Sequence, residues 1–123
     1  MNLNEDAFSE EVSRGLRLFS QEEYYEAHEA FETAWRSTQT PDRELYRALL
    51  QVSGGFFRLT QTRPKAARKF FMHALKWLAL FPDQHHGFDV YQLKEDLHLI
   101  INSLDHGQVD HEQIKQFLHT LDR

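Results

Sequence analysis

Apolar residues recur every three or four positions along most of the chain, which is the period of an α-helix with one buried face. Between Tyr24 and Trp35 this face alternates small and aromatic residues, namely Ala27, Phe31, Ala34 and Trp35. The same spacing returns 40 residues later as Ala67, Phe71, Ala74 and Leu75. Small residues let a neighbouring helix approach closely, and the aromatic ring fills the groove. The pattern is typical of the second helix of a tetratricopeptide hairpin.

Capping and turn residues divide the chain into about six predicted helices. Ser20 and Glu23 have the spacing of a capping box, in which the serine hydroxyl accepts a hydrogen bond from the later amide. Further helix starts are predicted at Pro41, Pro64, Asp89 and Asp110. No segment alternates as a strand would. We therefore predict an all-α fold over residues 1–123: a single domain, built as a compact bundle with two tetratricopeptide-like helical hairpins.

The predicted third helix, from Pro41 to about Gln61, is apolar around most of its circumference. A helix with two apolar faces belongs in the middle of a bundle. Its polar strip consists of Glu44, Gln51 and Arg58, which follow one another at intervals of seven residues. We expect the acidic second helix to supply partners for this strip.

Composition and charge exclude several classes of protein. The chain has no cysteine, so it has neither disulfides nor thiolate metal sites. It has no apolar run of the roughly 20 residues that a membrane span needs. Its start is acidic and lacks a signal-peptide pattern, which favours a cytoplasmic location. The net charge of −5 argues against general nucleic-acid binding.

The charge is unevenly distributed along the chain. Residues 43–77 contain eight basic residues and one acidic residue, whereas the segments before and after them are acidic. The simplest interpretation is that neighbouring helices attract one another in the fold. The alternative is an anion-binding face. Its candidate residues are Arg63, Lys65, Arg68 and Lys69.

The motif His28-Glu29-x-x-Glu32 suggests a metal site as one hypothesis. In a helical H-E-x-x-H motif two imidazoles one turn apart bind zinc and the adjacent glutamate acts as base. Here His28 and Glu32 would be the ligands and Glu29 the base of a metal-dependent, hydrolase-type enzyme. Zinc takes three or four protein ligands, so this alternative requires a further histidine from elsewhere in the fold. The histidine pair His85 and His86, in a predicted loop, is expected at the surface.

The favoured hypothesis is structural. His28, Glu32, Gln51 and Arg58 carry complementary donors and acceptors, and each buried polar group left unpaired would cost about 1–3 kcal/mol. Together they can form a buried polar network that needs no metal. We therefore predict a non-enzymatic binding or interaction module without catalytic residues or cofactor. Its partner would be an unknown protein or a second copy of the chain.

The combination of residues around His28 resembles the hallmark of domain-of-unknown-function family 309. The matching residues are Tyr25-Glu26-Ala27-His28-Glu29, Glu32, Trp35 and Arg36. The resemblance covers roughly residues 16–80 and implies a small, all-α, multihelical domain from prokaryotes or plastids, with no established activity. A plastid stroma is therefore an alternative location.

The family's polar hallmark maps onto His28, Glu29, Glu32, Trp35 and Gln51 of this sequence. Relatives often carry a histidine about seven residues after the glutamine, where this chain has an arginine, residue 58. A guanidinium does not bind metal ions, but it can bridge two carboxylates. This departure favours the polar network over a metal site.

Overall fold

The computed structural model of the protein describes residues 10–107. The predicted helix start at Asp110 and the segment before residue 10 lie outside this range. Five helices are described: α1 (Glu10–Ser20), α2 (Tyr24–Ser37), α3 (Asp42–Thr60), α4 (Pro64–Leu78) and α5 (Val90–Asp105). The mainly helical fold is as predicted. Within residues 10–107, no helix is long and apolar enough to cross a membrane.

A short antiparallel hairpin joins α4 to α5, where we expected no strand. It consists of β1 (Gln84–His85) and β2 (Phe88–Asp89). Its turn residues His86 and Gly87 have positive φ angles of 52° and 77°, the combination that a two-residue hairpin turn requires. Strands of two residues are too short to show an alternating pattern in the sequence, which is why the prediction missed them.

The predicted helix boundaries are confirmed at two places and wrong at a third. Pro64 is the first residue of α4, and the Asp89 carboxylate caps α5 by accepting from the amide of Gln92 at 2.9 Å. The predicted capping box at Ser20 does not form. Ser20 is the last residue of α1, and its hydroxyl donates to the carbonyl of Arg17 at 2.7 Å. Serine competes readily for such carbonyls near a helix end.

Helix α3 occupies the middle of the bundle, as its two apolar faces predicted. It packs against both α2 and α4, and ten of its residues are buried. At its core Phe56 makes edge contacts with Phe19 and Phe71, with ring centroids 5.2 and 5.3 Å apart. Such aromatic pairs stabilise a core beyond the area that they bury.

The 40-residue repeat extends through both hairpins. Gly15 of α1 lies directly against the ring of Phe31 on α2, and Gly55 of α3 lies in the same way against Phe71 on α4. At both glycines an added Cβ would overlap the aromatic ring. The glycines are therefore required by close approach of the two helices. The sequence pattern showed the phenylalanine half of this repeat and not the glycine half.

The turns inside the two hairpins repeat as well. Glu22 and Thr62 both have left-handed backbones, with φ angles of 63° and 56°. The next amide in each turn, that of Glu23 or Arg63, donates to the carbonyl five residues earlier, at 2.9 and 3.0 Å. The two hairpins therefore share one scaffold, α1–α2 and α3–α4. Their likeness to tetratricopeptide units stays a prediction.

Candidate functional site

His28 lies in a small pocket where α2 meets α3 and α4. The pocket has a volume of about 90 Å³ and is lined by Tyr25, His28, Gly54, Phe57, Arg58 and Phe70. The ring of Tyr25 stacks on His28 with centroids 6.3 Å apart and contacts Phe57 at 5.3 Å. Ligand pockets usually measure about 300–1,000 Å³, so this one is too small for an ordinary substrate.

Burial of the imidazole lowers the pKa of His28 below its ordinary value, and the nearby Arg58 guanidinium lowers it further. The carboxylates of Glu32 and Glu29 oppose this shift without outweighing it. The Nδ1 atom of His28 is buried and has no hydrogen-bond partner among the described residues. The half-buried position of His28 therefore favours the neutral form of its ring.

The predicted four-residue polar network does not form among the described residues. Glu32 accepts a hydrogen bond from Arg36 at 3.0 Å, one turn along the same helix. Arg58 donates to Gln61 at 2.8 Å, and the Oε1 atom of Gln51 is buried without a hydrogen-bond partner. Residues one turn apart on the same helix are close enough to pair, and both Glu32 and Arg58 pair in this way.

Glu44, the first residue of the polar strip of α3, also finds its partners locally. Glu44 forms ion pairs with Arg47 at 3.8 Å and with Arg43 at 4.0 Å, both on its own helix. We expected these partners on α2, but the buried residues of α2 are all small or aromatic and none is acidic. Glu26 and Glu29, for example, are exposed.

The hydrolase hypothesis lacks a third ligand in the part of the chain that the structure covers. Between residues 10 and 107, three side chains bring metal-ligating atoms close together, and they are Asp42, His85 and His86. This group contains neither His28 nor Glu32, and Glu29 is exposed. His85 and His86, expected at the surface, are half-buried.

A larger depression lies on the same face of the junction between α2, α3 and α4, about two helical turns away. We call it the tryptophan–arginine cleft. Its volume is about 450 Å³, which is within the range of ligand sites. The residues that line it are Trp35, Arg47, Leu50, Gln51, His73, Lys76 and Trp77.

Arg47 of α3 lies between the two indole rings of the cleft. Its guanidinium carbon is 4.7 Å from the ring centroid of Trp35 on α2 and 4.3 Å from that of Trp77 on α4. Arg43 contacts the ring of Trp35 at 5.0 Å, and Lys76 contacts that of Trp77 at 5.4 Å. Cations in this position are attracted by the negative face of the ring. Three helices thus meet in an alternation of cations and indoles.

The residues that line the cleft include two cations and no carboxylate. Three cationic side chains, those of Arg43, Arg47 and Lys76, contact the two indoles, and the Glu44 carboxylate pairs with the two arginines. Beside them, the Nε1 atom of Trp35 is buried with no hydrogen-bond partner among the described residues. Since the apolar walls strengthen electrostatic interactions, the excess positive charge favours an anionic ligand.

The predicted anion-binding residues lie at or just before the start of α4, and none of them lines the cleft. Arg68 donates to both carboxylate oxygens of Asp105 on α5, at 2.6 and 3.2 Å. This pairing raises the pKa of Arg68 and lowers that of Asp105. Arg63, Lys65 and Lys69 are exposed. The ion pair between Arg68 and Asp105 is one place where the basic middle of the chain attracts its acidic flank, as the charge distribution predicted.

Comparison with known families identifies part of the chain. Residues 12–70 match the family model described as Domain of unknown function (DUF309). The match confirms the family that the sequence resembled. No curated protein matches the sequence. The family description names no activity, so it leaves the function open.

The DUF309 match covers only part of the cleft. It includes Trp35, Arg47 and Gln51 and ends before His73, Lys76 and Trp77. From sequence we had selected Trp35 and Gln51 and missed Arg47 and the residues of α4. One clue was available, because Trp35 and Trp77 are the chain's two tryptophans and each is next to a basic residue in the sequence, Arg36 or Lys76. Their proximity, however, depends on how three helices pack.

Proposed function

We propose that this protein is a non-enzymatic binding module, whose tetratricopeptide-like hairpins present the tryptophan–arginine cleft to a partner protein. The position of Arg47 between Trp35 and Trp77 carries this proposal. Tryptophan and arginine are among the residue types that contribute most of the binding energy at protein interfaces. Here both types are half-buried and therefore already held in place before a partner arrives.

The partner is an acidic segment that also carries apolar side chains. Carboxylates of such a segment would pair with Lys76 and Arg43 at the rim, where charge speeds association and selects the partner. Apolar side chains would pack against the parts of the two indoles that the cations leave open. The rim residues His73 and Lys76 are exposed, so an extended or helical segment can reach them without rearrangement of the helices.

The experiment compares two tryptophan-free peptide libraries on the immobilised full chain. In one library Glu and Asp are mixed with Leu, Phe and Tyr; in the other Lys and Arg replace the acids. We expect enrichment of acidic peptides, lost in Arg47→Glu. Arg63→Glu makes the same charge change on an exposed residue outside the cleft and should leave the enrichment unchanged.

Three outcomes would contradict the proposal. Equal enrichment of both libraries would mean that the cleft does not select charge. Equal enrichment on wild type and Arg47→Glu would place the site elsewhere. Loss in Arg63→Glu together with retention in Arg47→Glu would favour the basic start of α4. A dimer detected by sedimentation in wild type and lost in Arg47→Glu would identify the occupant as a second copy of the chain.

A further inference from the structure

The hairpin between α4 and α5 brings two histidines onto a carboxylate of α3. The Nε2 atom of His85 lies 2.7 Å from Oδ1 of Asp42, and Nε2 of His86 lies 3.0 Å from Oδ2. Their potential ligand atoms all lie within 4.8 Å of one another. Asp42 is more than forty positions from the two histidines in the chain, so the fold and not the local sequence assembles the group.

The surroundings hold these side chains in place. The side chains of Asp42, His85 and His86 are 24%, 23% and 20% exposed, so they are accessible to an ion and yet largely enclosed. The ring of Phe81 packs edge-on against His85 with centroids 5.0 Å apart. Behind the turn, Phe88 is buried in the core and anchors the hairpin.

We propose that Asp42, His85 and His86 bind a divalent transition-metal ion, with Zn²⁺ as the best fit. Imidazole nitrogen and carboxylate oxygen are ordinary zinc ligands, with bonds of about 2.0–2.2 Å. Two such ligands in a tetrahedral site are about 3.3 Å apart. The two imidazole–carboxylate distances, 2.7 and 3.0 Å, need to widen by a few tenths of an ångström, and the ligand nitrogens of His85 and His86, which lie within 4.8 Å of each other, need to reach the same spacing. The position of the ion is between the carboxylate and the two rings.

The ligand types also predict which ions are excluded. Ca²⁺ and Mg²⁺ prefer sets of oxygen ligands, and this group offers two nitrogens and one carboxylate. Three protein ligands leave at least one position for water or for a partner's side chain, which distinguishes the site from a closed structural zinc site. The site is separate from the tryptophan–arginine cleft and does not depend on the function proposed for it.

The competing explanation is a clamp without metal, in which the carboxylate of Asp42 simply holds both imidazoles by hydrogen bonds and fixes the hairpin on α3. Both explanations predict that loss of Asp42 weakens the hairpin. Only the metal site predicts that the full chain takes up one ion, and that each of the three side chains is needed for this uptake.

The experiment is calorimetric titration of the chelator-treated full chain with Zn²⁺, repeated with Mg²⁺. We expect one Zn²⁺ per chain and no Mg²⁺ binding. His86→Asn should weaken Zn²⁺ binding at least about ten-fold, because it removes an imidazole that lies directly at the ion. Asparagine tolerates the left-handed backbone of residue 86, so this variant keeps the turn. His98→Asn removes an exposed histidine of α5 and should bind Zn²⁺ as wild type does.

Further measurements keep the proposal falsifiable if one variant fails to fold. Asp42→Asn and His85→Asn should also lose the bound ion while their circular dichroism stays helical. Co²⁺ added to wild type should give visible absorption bands that Zn²⁺ removes. Absence of stoichiometric Zn²⁺ in wild type would overturn the proposal. So would equal Zn²⁺ affinity in wild type and His86→Asn, since that result assigns the ion to other histidines.

Discussion

The α1–α2 hairpin and the α3–α4 hairpin bury equivalent residues and expose different ones. Gly15 against Phe31 in the first corresponds to Gly55 against Phe71 in the second. On their surfaces the first hairpin carries seven acidic and three basic residues, and the second carries two acidic and eight basic ones. The buried half of the repeat sets the scaffold, and the exposed half sets what each hairpin can bind.

Equivalent surface positions show how the two hairpins diverge. His28 in the first corresponds to Arg68 in the second, and Trp35 corresponds to Leu75. His28 lines a pocket too small for a substrate, whereas Arg68 is neutralised by Asp105 of α5. The cleft forms only where Trp35 of one hairpin meets the arginines of the other. A binding surface of this kind belongs to the junction and to neither hairpin alone.

The largest expected effect comes from removing the paired aromatic rings. Phe31→Ala and Phe71→Ala should each lower the free energy of unfolding by about 3–5 kcal/mol, because both rings are fully buried. Met72→Ala, at an exposed position of α4, should change it by less than about 0.5 kcal/mol. Urea denaturation followed by circular dichroism measures all three. If only one of the two phenylalanine variants lowered the free energy of unfolding by less than about 1 kcal/mol, the two hairpins would not be equivalent.

The glycines beneath the rings give the next largest effect. Gly15→Ala and Gly55→Ala should each destabilise the protein by about 1–3 kcal/mol, because the new methyl group overlaps a phenylalanine ring. In an open helix the same substitution stabilises by up to about 1 kcal/mol, so the sign of the change is itself diagnostic.

A double-mutant cycle sharpens this test. Phe31→Leu shortens the side chain above Gly15, so the combination of Phe31→Leu with Gly15→Ala should cost less than the sum of the two single changes. Strict additivity would show that Gly15 and Phe31 do not contact each other. The glycine–phenylalanine contact would then not be a shared feature of the two hairpins.

The smallest effect concerns pH and distinguishes His28 from its counterpart Arg68. Because the pKa of His28 is lowered in the folded state, the unfolded chain binds more protons just below the ordinary value of 6.5. Stability contributed by the neutral ring is therefore full above pH 6.5 and falls as pH drops from there toward the folded pKa. The unfolding free energy of wild type should decline over this range, and that of His28→Phe should decline less. An identical decline in both proteins would contradict the placement of His28.

Much of the scaffold could be predicted from sequence because its causes are local. The period of apolar residues, Pro64 at a helix start and Asp89 as a cap each act within one turn of helix. The candidate sites could not be predicted in this way. The cleft requires side chains from three helices, and the Asp42 group requires a hairpin whose strands are two residues long. The predicted polar network failed for a local reason, since Glu32 pairs with Arg36 one turn away on its own helix rather than with residues of α3.

The measurement that tests the proposed function most directly is tryptophan fluorescence. Both tryptophans of the chain line the cleft, so their emission reports on that surface alone. Titration with an acidic, tryptophan-free peptide from the library should give a saturable change in emission that weakens with added salt. The change should be absent in Arg47→Glu and present in Arg63→Glu. If the peptide binds without altering the emission, or alters it equally in Arg47→Glu, the cleft is not the binding surface.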